Sequence, residues 1–143
     1  MANIEMKSLT ILVIDDEPFM NKLIGRALND LGVMNVLVAE NGAEAIETLT
    51  HTSRKIDVII CDLEMPEMNG FEFVRNLRQG LDIPDPTIPV IILTGHSQAD
   101  NIKEVVNLGI SGFLTKPVSI HLLETRITSA LTSPPIDPKV LNR

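Results

Sequence analysis

Ile11-Leu12-Val13-Ile14-Asp15-Asp16 is a four-residue apolar run that ends on a pair of acids, and the same pattern returns along the chain. Residues 58–61, Val-Ile-Ile-Cys, run into Asp62, and residues 90–93, Val-Ile-Ile-Leu, run into Thr94. A further strand-like segment, residues 113–115, runs into Lys116-Pro117. Continuous apolar runs of this length, separated by helical patterns, read as strands buried on both faces of a parallel sheet. Ligands of such sheets sit beyond the carboxyl ends of the strands, so these polar residues are expected to converge on one crevice. Carboxylates from Asp15, Asp16 and Asp62, the Thr94 hydroxyl and the Lys116 ammonium together describe a metal-assisted phosphoryl acceptor.

Helices fill the intervals. Pro18 suits a first helical position, and Leu23, Ile24, Ala27, Leu28 and Leu31 mark one face of a helix that Gly32 stops. Residues 36–39 read as a strand, and Asn41 as the cap of a helix carrying Ile46 and Leu49. Residues 65–70, Met-Pro-Glu-Met-Asn-Gly, form a loop ahead of a short helix over about 71–78. Pro84, Pro86 and Pro89 stiffen the connection over 80–89, which lies on the face away from the crevice and takes no catalytic role. Ser97 with Asp100 resembles a capping box before a helix through Ile102, Val105 and Val106 that stops at Gly109. The last helix spans about 119–131, with Leu123, Ile127 and Ala130 at core spacing. Residues 1–131 therefore make one domain. Residues 132–143, with Pro134, Pro135 and Pro138, are expected to be a flexible tail or the start of a linker.

Composition bounds the function. The 143 residues suffice for one well-buried core. With 12 Lys and Arg against 19 Asp and Glu, the net charge of −7 excludes a general nucleic-acid binder and suits a protein that meets other proteins. Cys61 is the sole cysteine, so no intrachain disulfide forms and a cytoplasmic location is expected. Residues 1–8 carry Glu5 and Lys7 and lack the apolar core of a signal peptide, and no run approaches the roughly 20 apolar residues of a membrane span. Cys61 reads as a small buried residue, and His51 and His121 as surface residues.

Taken in order, Asp15-Asp16, Asp62 followed by Met65-Pro66 and Gly70, Thr94-Gly95 and Lys116-Pro117 resemble the receiver domain of two-component response regulators, over about residues 8–131. The resemblance implies a doubly wound, flavodoxin-like α/β fold with a five-stranded parallel sheet in the order 2-1-3-4-5. It implies that Asp62 is phosphorylated by a histidine kinase or a histidine phosphotransfer protein. It also implies that Mg²⁺, or Mn²⁺, is held by Asp15, Asp16, Asp62 and the backbone carbonyl of Glu64. Aspartate is a competent nucleophile toward phosphorus, and a hard divalent cation relieves the repulsion among these acids. Lys116 and Thr94 then serve two phosphoryl oxygens. Phe113 falls where receivers carry a switch aromatic, here without the hydroxyl of a tyrosine. Glu64 and His96 are expected to flank the entrance. Lys116-Pro117 is expected to be cis. Ile102, Val106, Phe113, Leu122 and Arg126 are expected to form a downstream docking face. Such a domain is a signalling switch with self-catalysed phosphoryl transfer and autodephosphorylation rather than an enzyme.

Each residue has a plainer role when taken alone. Asp-Asp-Glu-Pro ahead of a helix is commonly a cap with first-turn acids, and Asp62 and Thr94 are ordinary loop formers. A flavodoxin-type cofactor binder is disfavoured because the first loop is acidic where a phosphate cradle needs glycines and hydroxyls. An aspartate-nucleophile phosphatase would place Asp-x-Asp after the first strand, whereas Asp62-Leu63-Glu64 has that spacing on a later one. The alternative that stands is a phosphorylation-silent receiver used only to bind proteins.

Overall fold

The computed structural model describes residues 4–80, 83–95, 99–137 and 139, with no side-chain detail for residues 99–102. Within them, strands β1 (Thr10–Ile14), β2 (Asn35–Ala39), β3 (Val58–Asp62), β4 (Val90–Thr94) and β5 (Gly112–Thr115) alternate with helices. These are α1 (Pro18–Asp30), α2 (Gly42–His51), α3 (Gly70–Gln79), α4 (Ala99–Asn107) and α5 (Ile120–Thr132). All strand pairs are parallel and the order is β2-β1-β3-β4-β5, the doubly wound arrangement expected. A short 3₁₀ turn, Met6–Ser8, leads into β1.

Side chains of a strand alternate between faces, and this alternation divides the core. Ile11 and Val13 of β1, Val58 and Ile60 of β3, and Ile91 and Leu93 of β4 pack with Ile24 and Leu28 of α1 and Leu123, Ile127 and Ala130 of α5. Their neighbours Leu12, Ile14, Ile59, Cys61, Val90 and Ile92 pack on the other face with α2, α3 and α4. The three central strands are buried throughout, which is why their sequences are unbroken apolar runs. Edge strand β2 is only partly buried.

Helix ends follow local chemistry. The Asn41 and Ser119 side chains accept from the third amide of α2 and α5 respectively. Asn69 and Glu72 close a reciprocal capping box on α3, so that helix begins earlier than expected. Gly32 and Gly109 adopt positive φ at the ends of α1 and α4, as their stop roles require. The Lys116-Pro117 peptide is cis. The Ser97–Asp100 cap expected for α4 lies outside the described residues and side chains. On α1 the buried stripe is Asn21, Ile24 and Leu28. Leu23, assigned to the core by its apolarity, is 43 % exposed.

Two long-range ties secure the base of the sheet. Arg78 on α3 donates from Nη1 to the carbonyls of Pro86 and Ile88 and from Nη2 to that of Gly109. The Ile136 amide donates to the Ile110 carbonyl at 2.9 Å, and its side chain packs against the core of the α2–α4 face. Part of the segment after α5, which reads in sequence as having little to pack, is thus bound to the domain.

The turn from β3 into α3 is tight. Met68 N–H donates to the Pro66 carbonyl across Glu67, whose φ is +67°, a classic γ-turn geometry that stores strain. Gly70 N–H donates to the Leu63 carbonyl, and a Cβ on Gly70 would lie 2.6 Å from the Asp62 carbonyl oxygen and 2.8 Å from Leu63 Cα. Gly25, in the middle of α1, has nothing within 4 Å of its own Cβ position. Gly25→Ala is therefore expected to stabilise the protein by about 0.5–1 kcal/mol through helix propensity. Gly70→Ala should destabilise it by roughly 1–3 kcal/mol through forced backbone displacement. Urea unfolding of the two variants beside the wild type checks both signs.

Candidate functional site

Parallel pairing of β1 with β3 sets Ile14 opposite Cys61, so the chain leaves the two central strands on Asp15 and Asp62 side by side. Carboxylate oxygens of Asp15, Asp16 and Asp62 lie within 4.8 Å of one another, the one such group of three among the described residues. Asp15 and Asp62 are buried and Asp16 is exposed. From the end of β5, Lys116 places Nζ 3.1 Å from Asp15 Oδ2 and 3.4 Å from Asp62 Oδ2. Thr94 is buried at the end of β4, and its carbonyl accepts the Lys116 amide at 2.9 Å. The five residues singled out by sequence thus end on one rim of the sheet, at the carboxyl ends of their strands.

Local bonds orient the acids. Asp15 Oδ1 accepts the Glu17 amide at 2.9 Å, and Asp62 Oδ1 accepts the Glu64 amide at 3.3 Å. Asn21 reaches back from α1 and donates from Nδ2 to the Asp15 carbonyl at 2.8 Å. Sequence reasoning missed this asparagine, although a polar residue on the same stripe as Ile24 and Leu28 was a signal. After β3, Glu64, Pro66, Phe71 and Glu104 line a cleft of about 420 Å³. His96 lies outside the described residues.

Charge is unbalanced at this rim. Burial, and then the Asp15 carboxylate, push the Asp62 pKa up to about 6 against the opposing pull of Lys116. Burial lowers the Lys116 pKa, but its hydrogen bond to Asp15 and the charges of Asp62 and Asp15 outweigh that and raise it overall, so it stays an ammonium. Cys61, buried beside Asp62, has its thiol pushed well up by burial and then by Asp62 and Asp15, and is inert. Three carboxylates against one ammonium leave a formal charge of −2, which a divalent cation would cancel. The donors are all hard oxygens, a set suited to Mg²⁺ or Mn²⁺ rather than to a thiophilic metal. The residues therefore fit such an ion.

The expected docking face is only partly surface. Val106 is 1 % exposed and belongs to the core under α4, because α4 turns this side toward the sheet; it is not a docking residue. Leu122 is 44 % exposed. Arg126 is half-buried and donates from Nε to the Phe113 carbonyl at 3.2 Å. Phe113 is itself half-buried against the α2–α4 core. The side chain of Ile102 lies outside those described.

Residues 11–128 match the response regulator receiver domain family, and the chain belongs to it. Over 123 residues it is 32 % identical to a chemotaxis protein CheY homolog of Campylobacter jejuni, covering 86 % of this chain and 92 % of that one. Over 125 residues it is 36 % identical to the transcriptional regulatory protein GlrR of Escherichia coli, covering 87 % of this chain but 27 % of that longer protein. A response regulator receiver domain from Clostridium thermocellum superposes with a TM-score of 0.77 at 34 % identity, covering 86 % of this chain and 94 % of that one. Among the described residues no helix is long and apolar enough to cross a membrane.

The raised Asp62 pKa makes a signed prediction. A carboxyl held at about 6 in the fold against 3.8 when unfolded contributes stability below the unfolded value and loses it as pH rises through the folded one. In chelator, Asp62→Asn should therefore gain on the wild type between about pH 4 and pH 7. The gain is on the order of 1 kcal/mol after allowance for solvent screening at the rim. Paired thermal melts across that range check it, and parallel curves contradict it.

Proposed function

We propose that this receiver is a phosphorylation switch: Asp62 accepts a phosphoryl group from a phosphohistidine on a histidine kinase or a histidine phosphotransfer protein. The observation that carries the reading is the ion-paired rim, in which Lys116 spans Asp15 and Asp62 while Asp16 completes the acid cluster. At neutral pH Asp62 is mainly ionised, as a nucleophile must be. A carboxylate oxygen of Asp62 forms the new O–P bond as the N–P bond of the donor breaks, and the donor histidine leaves with its electron pair. Lys116 holds positive charge against one phosphoryl oxygen, and the Thr94 hydroxyl donates to another. Asp15, Asp16, Asp62 and the Glu64 carbonyl would hold Mg²⁺, with Mn²⁺ able to replace it. The ion supplies charge neutralisation as the phosphoryl group approaches the carboxylates.

The chain acts as a signalling domain in the cytoplasm rather than turning over separate substrates. Movement of Thr94 toward the phosphoryl group lets Phe113 pack inward, and the readout lies on the surface near Leu122, Arg126, Phe113 and Ile102. Arg126, anchored on the Phe113 carbonyl, ties α5 to the strand that carries the switch. A downstream protein docks there.

Incubation with acetyl phosphate and Mg²⁺ should add one acid-labile phosphoryl group by intact-mass measurement. Asp62→Asn and chelator should each abolish it, and Lys116→Ala should slow it by roughly 10²-fold. Uptake by Asp62→Asn equal to wild type would sink the acceptor assignment. No uptake by the wild type from either acetyl phosphate or a phosphohistidine donor would leave the silent protein-binding module.

A further inference from the structure

We infer that Asn21 is a positioning residue for metal binding: by holding the Asp15 carbonyl it fixes the peptide joining the two adjacent acids, and so sets whether Asp16 reaches the ion. The inference rests on the divalent-metal reading of the acid cluster.

Adjacent residues leave an extended strand on opposite sides, so two consecutive carboxylates converge on one ion only if the peptide between them is turned and kept there. The Asp15 side chain is already fixed, by the Glu17 amide at 2.9 Å and Lys116 at 3.1 Å. Its amide is fixed too, by the Ala39 carbonyl at 3.2 Å. Asp16 is exposed, and no hydrogen bond of its side chain is among those described. Its carboxylate depends on the direction in which the Asp15–Asp16 peptide points, and the carbonyl of that peptide accepts from Asn21 Nδ2 at 2.8 Å.

The composition of α1 supports a role beyond packing. Asn21 is 3 % exposed and shares its stripe with Ile24 and Leu28, a place where an apolar residue would serve a plain core better. Its Oδ1 is the buried side-chain polar atom without a partner among the described residues. Exchanging the amide oxygen and nitrogen does not cure this, because the Asp15 carbonyl needs a donor. A buried amide kept with half of its bonding unmet calls for a reason that apolar packing does not supply. Groups that orient metal ligands from behind commonly change metal affinity by 10–100-fold when removed.

Mn²⁺ titration by calorimetry at neutral pH on the full chain tests this, with apo melting temperature as the second readout. Asn21→Leu and Asn21→Ser should each bind Mn²⁺ 10–100-fold more weakly than wild type. Leu28→Ala, two turns along the same stripe, should lower the apo melting temperature yet keep the wild-type dissociation constant. Wild-type affinity in both Asn21 variants would overturn the inference while leaving the metal site intact. So would an equal loss of affinity in Leu28→Ala, which would make the effect one of general destabilisation. Failure of the wild type to bind, or undiminished binding by Asp16→Ala, would instead overturn the metal reading on which the inference stands.

Discussion

Register between the two central strands governs everything at the rim. Because Ile14 stands opposite Cys61, the residues that follow them are brought to the same height, and both are aspartates. A slip of one strand by one residue would exchange its side chains between the two differently packed faces and move its terminal aspartate out of line with the other. The acids are held together by the hydrophobic core rather than by attraction for one another. Lys116, delivered by β5 from the far side of β4, offsets part of the repulsion, and its contacts at 3.1 and 3.4 Å bridge Asp15 and Asp62.

That arrangement leaves the domain under electrostatic tension in its resting form. Burial and the neighbouring Asp15 together raise Asp62, so its environment favours the uncharged carboxyl more than water does. Strain at Glu67 and the close contact of Gly70 with the Asp62 backbone place a rigid turn directly behind it. Asp16, by contrast, is exposed.

Most of this was legible in sequence for a specific reason. Strands buried on both faces cannot hide a polar residue, so the first polar residue after each run marks the strand's end. In a parallel sheet those ends share a side. Asp15, Asp62 and Thr94 were readable on that basis, and Lys116 from its place just beyond the last strand-like segment. Helix faces were not, because the rotational phase of a helix is set by what it packs on. Apolarity put Leu23 in the core and helical spacing put Val106 on a docking face, and the packing reverses both. Asn21, Arg78 and Ile136 act through backbone carbonyls of Asp15, of Pro86, Ile88 and Gly109, and of Ile110. Carbonyls leave no trace in an amino-acid sequence, so the residues that bond to them look unassigned until the fold is known.

The pleat of the sheet also shapes how such a chain tolerates change over generations. Its two apolar clusters, one under α1 and α5 and the other under α2, α3 and α4, are built from alternate residues of the same strands and share none of their buried members. Side chains separated by the sheet backbone have no common cavity through which to couple, and distant substitutions add nearly independently. A lost methylene under α5 can be compensated only by repacking around α1 and α5. The two faces can thus drift apart in sequence at their own rates while the rim, which draws on both, keeps its register.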